Sequence, residues 1–377
     1  HGIKGGRSVL IATPADRFLE TIRRMEVDTG LPSPMLRSGK PGGTGTTDWA
    51  RLSPVLRQSY LFPTYYAAGD LDALIRYAKV GGFGLIMLHR QSWRASAGHE
   101  TIARAAFPNG LPDLVKACDK IHAAGLRVGL HLFGPLVSLN DAYVTPVPDP
   151  RLFTLEVAPL AAEVDATATE LPLKTRPKLP RRSSPGIYPG NLLRIGDEIV
   201  RWSEMVPGDP CKLIGCERGA LGTTAASHRA GAEVRSFVIG NGRLLVDPDS
   251  TLPEEMGEHL ARVVNATRAD LVYFDAIGAA PAGQQPERWY YVNRTLLASC
   301  AKFDHGVIVQ TGLGPGRQLP WHLVPRSASA DGHGDLKGYL DQRMAGILQM
   351  RRTFTAADIG WYALDIHGRP DELEYVC

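Results

Sequence analysis

The residues best suited to bond chemistry in this chain stand at the ends of apolar runs. Asp275 closes LVYFD, so its carboxylate terminates a segment otherwise fit for the inside of a sheet. Such a carboxylate is read as catalytic, with a helix cap or a supporting partner as the plainer role. FGLIMLH ends in His89, with Arg90 next, and LRVGLHLFG carries His131. Tyr65 and Tyr66 close YLFPTYY, Gln310 and Thr311 lie at the end of HGVIVQTG, His322 and Arg326 sit in LPWHLVPRS, and Asp365 ends DIGWYALD. The cations His89, Arg90, Arg94, His131, His322 and Arg326 outnumber the acids among these ends. Guanidinium forks match carboxylates and sulfates through paired hydrogen bonds, so the balance predicts an acidic ligand.

Those residues need a scaffold that gathers strand ends, and the chain has the rhythm of one. Apolar runs near residues 62, 86, 129, 272, 308, 323 and 361 alternate with amphipathic stretches such as DLDALIRYAKVGG, GLPDLVKACDKIHAAG and LPEEMGEHLARVVNATRA. Strands alternating with helices of this length mean βαβ units and a parallel sheet. The fold expected is α/β, a (β/α)8 TIM-type barrel, whose active site would lie at the carboxyl ends of its strands. Residues 150–238 break the rhythm with short alternating runs and Gly-Asp, Pro-Gly and Gly-Asn turns, and are read as an inserted all-β module. The division is then an N-terminal segment over 1–59, preceding or starting the barrel, a first barrel part over 60–149, the module, and a second barrel part over 239–377. Seven strands leave one missing. Either SVLIA (8–12) supplies it or the chain stops before the barrel closes, and the latter is the expectation here.

Composition narrows the function classes. The 377 residues carry 42 Lys and Arg against 39 Asp and Glu, a net charge of +3, too small to argue for nucleic acid. No apolar run approaches the roughly 18 residues of a spanning helix, so no membrane role is expected. GKPGGTGTT lacks the order of a phosphate loop, and no strand leads into it. Asn265 and Asn293 open glycosylation sequons of a kind that arises by chance, and RPKLPRRSSPG reads as a solvated basic loop. Cys118 and Cys300 are expected as buried thiols, with a small-loop disulfide between Cys211 and Cys216 left open. No spacing calls for a metal or cofactor. Because the chain begins at His1, a processed and secreted or periplasmic protein is the expected setting.

Two segments carry a family resemblance. FGLIMLHRQSW followed by FPNGLPDLVKACDKIHAAGLRVGLHL resembles the second and third βα units of melibiase-type barrels, the α-galactosidases and their relatives. LVYFD resembles the family strand that ends in its Asp nucleophile, which would be Asp275, and PRSASAD resembles the later segment bearing an Arg and the acid/base Asp. That resemblance implies Arg326 and Asp331 there, with Asp335 as a rival to Asp331. It covers roughly 60 of the 377 residues. This chain differs from the family in carrying His89 and Arg90 where a pair of acids grips galactose hydroxyls, and in its β-insertion.

Resemblance and residues together give three readings. The first is a retaining glycoside hydrolase on an anionic carbohydrate, with Asp275 as nucleophile and Asp331 as acid/base, two acids about 5–5.5 Å apart. His131 stands with them as a catalytic candidate, and His89, Arg90, Trp93, Tyr65, His322 and Arg326 would bind substrate. Trp93, Trp289 and Trp321 could stack on sugar faces, core packing being the alternative. The second reading is a lyase on a uronate glycan, with Arg90 or Arg326 neutralising the carboxylate and a histidine or tyrosine taking the proton. The third is a carbohydrate-binding or surface protein without activity, which would bury Asp275 in salt bridges.

Overall fold

The computed structural model describes residues 10–28, 56, 58–134, 136–177, 187–277, 294, 296–312, 326–327, 364–365 and 367. Its centre is a sheet of six strands: β1 (Tyr60–Leu61), β2 (Leu85–Leu88), β3 (Arg127–Phe133), β4 (Leu271–Asp275), β5 (Ile308–Thr311) and β6 (Arg326–Ser327). They lie side by side in chain order, and every pairing is parallel. Just beyond β1, Pro63–Thr64 pairs in parallel with Leu364–Asp365.

Parallel strands need crossovers, and helices supply them. Helix α1 (Leu71–Val80) joins β1 to β2 and turns Leu71, Leu74 and Ala78 inward. Helix α2 (Leu111–Ala123) joins β2 to β3 on a stripe of Leu114, Ala117, Cys118 and Ile121, with Pro112 in its first turn where a missing N–H costs nothing. Helix α3 (Leu252–Thr267) precedes β4 and buries Leu260, Val263 and Val264. Each large aliphatic side chain so buried contributes about 1.5–3 kcal/mol.

The strands are buried on both faces, and their alternation sorts the two. Ile86, Leu88, Val128, Leu130, Val272, Phe274 and Val309 share one core with the helices. Leu85, Met87, Leu271, Tyr273 and Ile308 form another with Phe62. His131, Asp275 and Gln310 occupy the same alternate positions as this second set and so belong to the face away from the helices. Gly129 lies on that face, where a Cβ would stand 2.7 Å from Met87 Sδ. Glycine at this point is what lets β2 and β3 pack across their inner side chains.

Among the described residues between Thr154 and Leu245 lie eight strands, each paired antiparallel. The last, Arg243–Leu245, pairs with Leu136–Val137, just past the end of β3. This antiparallel region is therefore stitched to the carboxyl edge of the parallel sheet. Its core includes Leu152, Phe237 and Leu244 together with Leu252 and Met256 at the start of α3.

One expectation is corrected and one open alternative is settled. Leu10–Ala12, the described part of SVLIA, form no strand, and Leu10 is 99% exposed. Without a partner strand, its apolar residues alone do not make one. Cys211 and Cys216 are both buried free thiols, as are Cys118 and Cys300. Cys211 opens the extended strand Cys211–Ile214, and Cys216 instead donates its thiol to Leu213 O at 3.5 Å.

Candidate active site

The carboxyl ends of β2, β3 and β4 bring His89, His131 and Asp275 together. Asp275 ends β4 with its side chain 20% exposed. Its Oδ1 accepts the Ala276 N–H at 2.7 Å, and Oδ2 faces His131 Nε2 at 3.5 Å. A Cβ on Gly312 would come within 2.6 Å of Asp275 Oδ1, so the glycine after β5 leaves the carboxylate its room.

His131 is 1% exposed and is held from several sides. Its Nδ1 accepts the backbone N–H of Arg90 at 3.5 Å, which places the ring proton on Nε2, toward Asp275. Its backbone carbonyl accepts Trp93 Nε1–H at 3.0 Å. The His89 ring stacks on His131 with centroids 4.8 Å apart and planes 12° from parallel. Phe62 meets both rings edge-on, at 5.2 and 5.1 Å.

This packing disfavours the charged form of both histidines. Burial, then the neighbouring His131 and Arg90, bring the His89 imidazole down to about 2. Burial lowers His131 as well, against the opposing pull of Asp275. The unfolded chain takes up a proton on His89 below about 6.5, whereas the folded one does so only near the lowered value. The contribution of His89 to stability is therefore complete above about 6.5 and lost as the pH falls. We expect His89 to lower the unfolding free energy by up to about 1.4 kcal/mol per pH unit as the pH falls from 6.5 to 4.5. His89→Leu should flatten that slope by one histidine's share in denaturant titrations. An unchanged slope would contradict the neutral stack.

Arginines gather around Phe133, at the end of β3. The Arg90 guanidinium lies 3.8 Å from the Phe133 ring centroid, and that of Arg243 lies 5.1 Å from it. Burial, followed by the charge of Arg243, brings Arg90 down to about 10, with Asp275 pulling the other way. Arg94 is paired with Glu100 at 2.6 Å, their side chains 5% and 3% exposed. Its Nη1 also donates to the Phe133 carbonyl at 3.5 Å. This pair belongs to a short hairpin, Arg94–Ser96 against Thr101–Ile102, that follows β2.

The structure gathers Asp275, His131, His89 and Arg90, as the strand ends predict, and changes the parts of others. Trp93 is fully buried, its indole committed to His131, so it does not offer a face to a sugar. The short helix Arg90–Trp93 folds it back onto β3. Arg326 is 7% exposed and donates to the Gln58 carbonyl at 2.8 Å over the Tyr60 ring, a structural post rather than an open binding group. His89 and His131 are both buried, and the Nδ1 atom of each accepts a backbone N–H, so neither ring stands open to a substrate proton as the elimination reading asks. Tyr65 is 60% exposed at the sheet edge, whereas Tyr66 is buried. Asp331, Asp335, His322, Trp289 and Trp321 lie outside the described residues. Glu100, Phe133 and Arg243 carry no such signal in sequence: Phe133 ends β3 with an apolar ring, and Glu100 and Arg243 end no apolar strand.

Among the described residues no group of three His, Cys, Asp or Glu side chains could hold a metal ion, and no helix is long and apolar enough to cross a membrane. A separate opening of about 690 Å³ lies in the antiparallel region, between Leu152, Arg194, His228 and Arg235. Of its ionic groups, Arg235 pairs with Glu233 and His228 with Glu198, both at 2.7 Å, while Arg194 donates to the Gly196 carbonyl at 2.8 Å.

No family model matches the chain, and no curated protein does. Among solved structures, it is similar to the GH36 α-galactosidase AgaA from Geobacillus stearothermophilus, at 16% identity and a TM-score of 0.37, over 71% of this chain and 29% of that one. It is similar to the α-galactosidase from Lactobacillus brevis at 12% identity and a TM-score of 0.44, over 85% and 39%. The trehalulose synthase MutB matches at 12% and 0.40, over 68% and 43%. The chain thus spans less than half the length of these structures. It is distantly similar to them, and α-galactosidases, whose motifs its sequence resembles, stand among them.

Proposed function

We propose that the chain belongs to a retaining glycoside hydrolase acting on an acidic saccharide, with Asp275 as nucleophile. The observation that carries this reading is the Asp275 carboxylate itself. It stands partly open at the carboxyl end of a central parallel strand, held by the Ala276 N–H and oriented by His131. One carboxylate oxygen attacks the anomeric carbon as the glycosidic bond breaks, and an acid delivers a proton to the leaving oxygen. Water then displaces Asp275 from the glycosyl ester, giving up its proton to the same acid in its deprotonated form. Asp331 is the proposed acid/base, four residues beyond the end of β6 in sequence.

In this reading His131 is a positioning residue. Neutral and fixed in one tautomer, it donates toward Asp275 without taking the proton it would need to form an inactive pair. The parallel strands are read as the wall of a (β/α)8 barrel. That arrangement is supported by the pairing of Pro63–Thr64, next to β1, with Leu364–Asp365 late in the chain. Against the reading as an inert binder stands the partial exposure of Asp275, whose one ion-pair partner among the described residues is the His131 ring at 3.5 Å.

The test is incubation with a panel of neutral and uronate polysaccharides. New reducing ends are expected, with the first-formed product keeping the substrate's anomeric configuration by NMR. Absorbance from an unsaturated uronate would show elimination instead, and an inverted product would remove the covalent intermediate.

A further inference from the structure

Arg90 and Arg243 come from distant parts of the chain and meet at one aromatic ring. Arg90 follows β2 and Arg243 opens the last antiparallel strand. That strand is hydrogen-bonded to Leu136–Val137, immediately after Phe133 and the end of β3. Both guanidiniums lie over Phe133, at 3.8 and 5.1 Å from its centroid. Among the described residues neither forms an ion pair, and the buried Arg90 Nε has no hydrogen-bond partner. The third arginine of the cluster, Arg94, is already neutralised by Glu100 at 2.6 Å. Counting Arg90, Arg94 and Arg243 against Glu100 and Asp275 leaves one positive charge in a partly enclosed place.

Arg243 gives one N–H to the Asn241 carbonyl at 3.1 Å. Holding two guanidiniums without counter-charges close together costs electrostatic energy, and burial lowers the proton affinity of both. A bound carboxylate would remove that cost while accepting their N–H donors, an arrangement guanidinium forks fit geometrically. The Arg90 backbone N–H is bonded to His131, whose other ring nitrogen faces Asp275 at 3.5 Å, so an anion held at Arg90 lies at the same strand ends as the nucleophile.

We infer that Arg90 and Arg243, gathered over Phe133, form the subsite for a carboxylate of the saccharide substrate, so that the antiparallel region supplies part of the specificity of the Asp275 site. This deepens the hydrolase reading and rests on it for the position of the sugar. The β-insertion then has a role in recognition, through the residue that its last strand places at the sheet edge.

The test is titration calorimetry of the whole chain with a galacturonic acid trisaccharide and its carboxyl-reduced counterpart. The wild type should bind the acidic form roughly ten- to a hundred-fold more tightly, the range of one charge-assisted contact. Arg243→Gln should bring the ratio of the two affinities to within about threefold of one, and Arg243→Lys, which keeps the charge and loses the fork, should fall between. Melting curves on each variant confirm that the protein measured is folded. An unchanged ratio in Arg243→Gln overturns the subsite, and so does a wild type that binds neither trisaccharide or both equally. Covalent labelling of Asp275 by a fluorosugar decides the hydrolase reading separately, so the two failures are distinguishable.

Discussion

Replacing Asp275 with asparagine should cut kcat by at least about ten-thousandfold, since losing a single catalytic group costs an enzyme on the order of 10⁴–10⁶. The melting temperature should move by only a few degrees. The carboxylate contributes little to packing, because it is partly exposed and its closest partner is the N–H of the next residue at 2.7 Å. Asparagine keeps an oxygen for that N–H and for His131, so the variant removes charge and nucleophilicity with little change of shape. Retained turnover in a folded Asp275→Asn protein would take this residue out of catalysis. A collapse of stability instead of turnover would make it a structural cap.

Glu100→Ala should destabilise the fold by about 3–5 kcal/mol, because it strands the buried Arg94 guanidinium without its counter-charge. In a chain of this size that corresponds to a fall in melting temperature of roughly 5–15 °C. The pair is enclosed on both sides, with Arg94 Nη2 and Glu100 Oε1 2.6 Å apart. Burial raises the Glu100 carboxyl even against the pull of Arg94, a sign of how costly the isolated charge is there. The double variant Arg94→Met, Glu100→Leu should recover most of the loss, because it leaves no charge behind. A thermodynamic cycle by denaturant unfolding measures this. If the double variant is as unstable as Glu100→Ala, or if Glu100→Ala is nearly neutral, the pair does not hold the hairpin that borders the site.

The parallel scaffold was legible because its signal is local. A run such as LIML between two helices can only be a strand covered on both faces, and the structure has one at Leu85–Leu88 with all four residues buried. The convergence of His131 and Asp275 was legible for a related reason. Both stand near the ends of buried strands, and strands β3 and β4 are adjacent, with Tyr273 opposite His131 in register. What single positions could not convey is which side chains the ends would consume. Trp93 reads as a loop indole, yet one turn of helix folds it under β3, where the His131 carbonyl takes its N–H. Arg326 reads as a binding group and is instead spent on Gln58. Arg243 was invisible for the opposite reason. Its place beside Phe133 depends on a non-local pairing of Leu244 with Val137 and Leu245 with Leu136, which no sequence pattern near Arg243 announces. Glu100 carries no signal either, since a lone acid in a loop reads as solvated until Arg94 is found against it.

The central claim is that Asp275 forms a covalent bond to the sugar. It is tested most directly by treating the protein with the 2-deoxy-2-fluoro glycosyl fluoride of the sugar released in the substrate panel, then digesting it and sequencing the labelled peptide by mass spectrometry. The account predicts one fluorosugar per chain, esterified to Asp275 and absent from Asp275→Asn. No adduct from an active preparation, or an adduct on a different carboxylate, would contradict it.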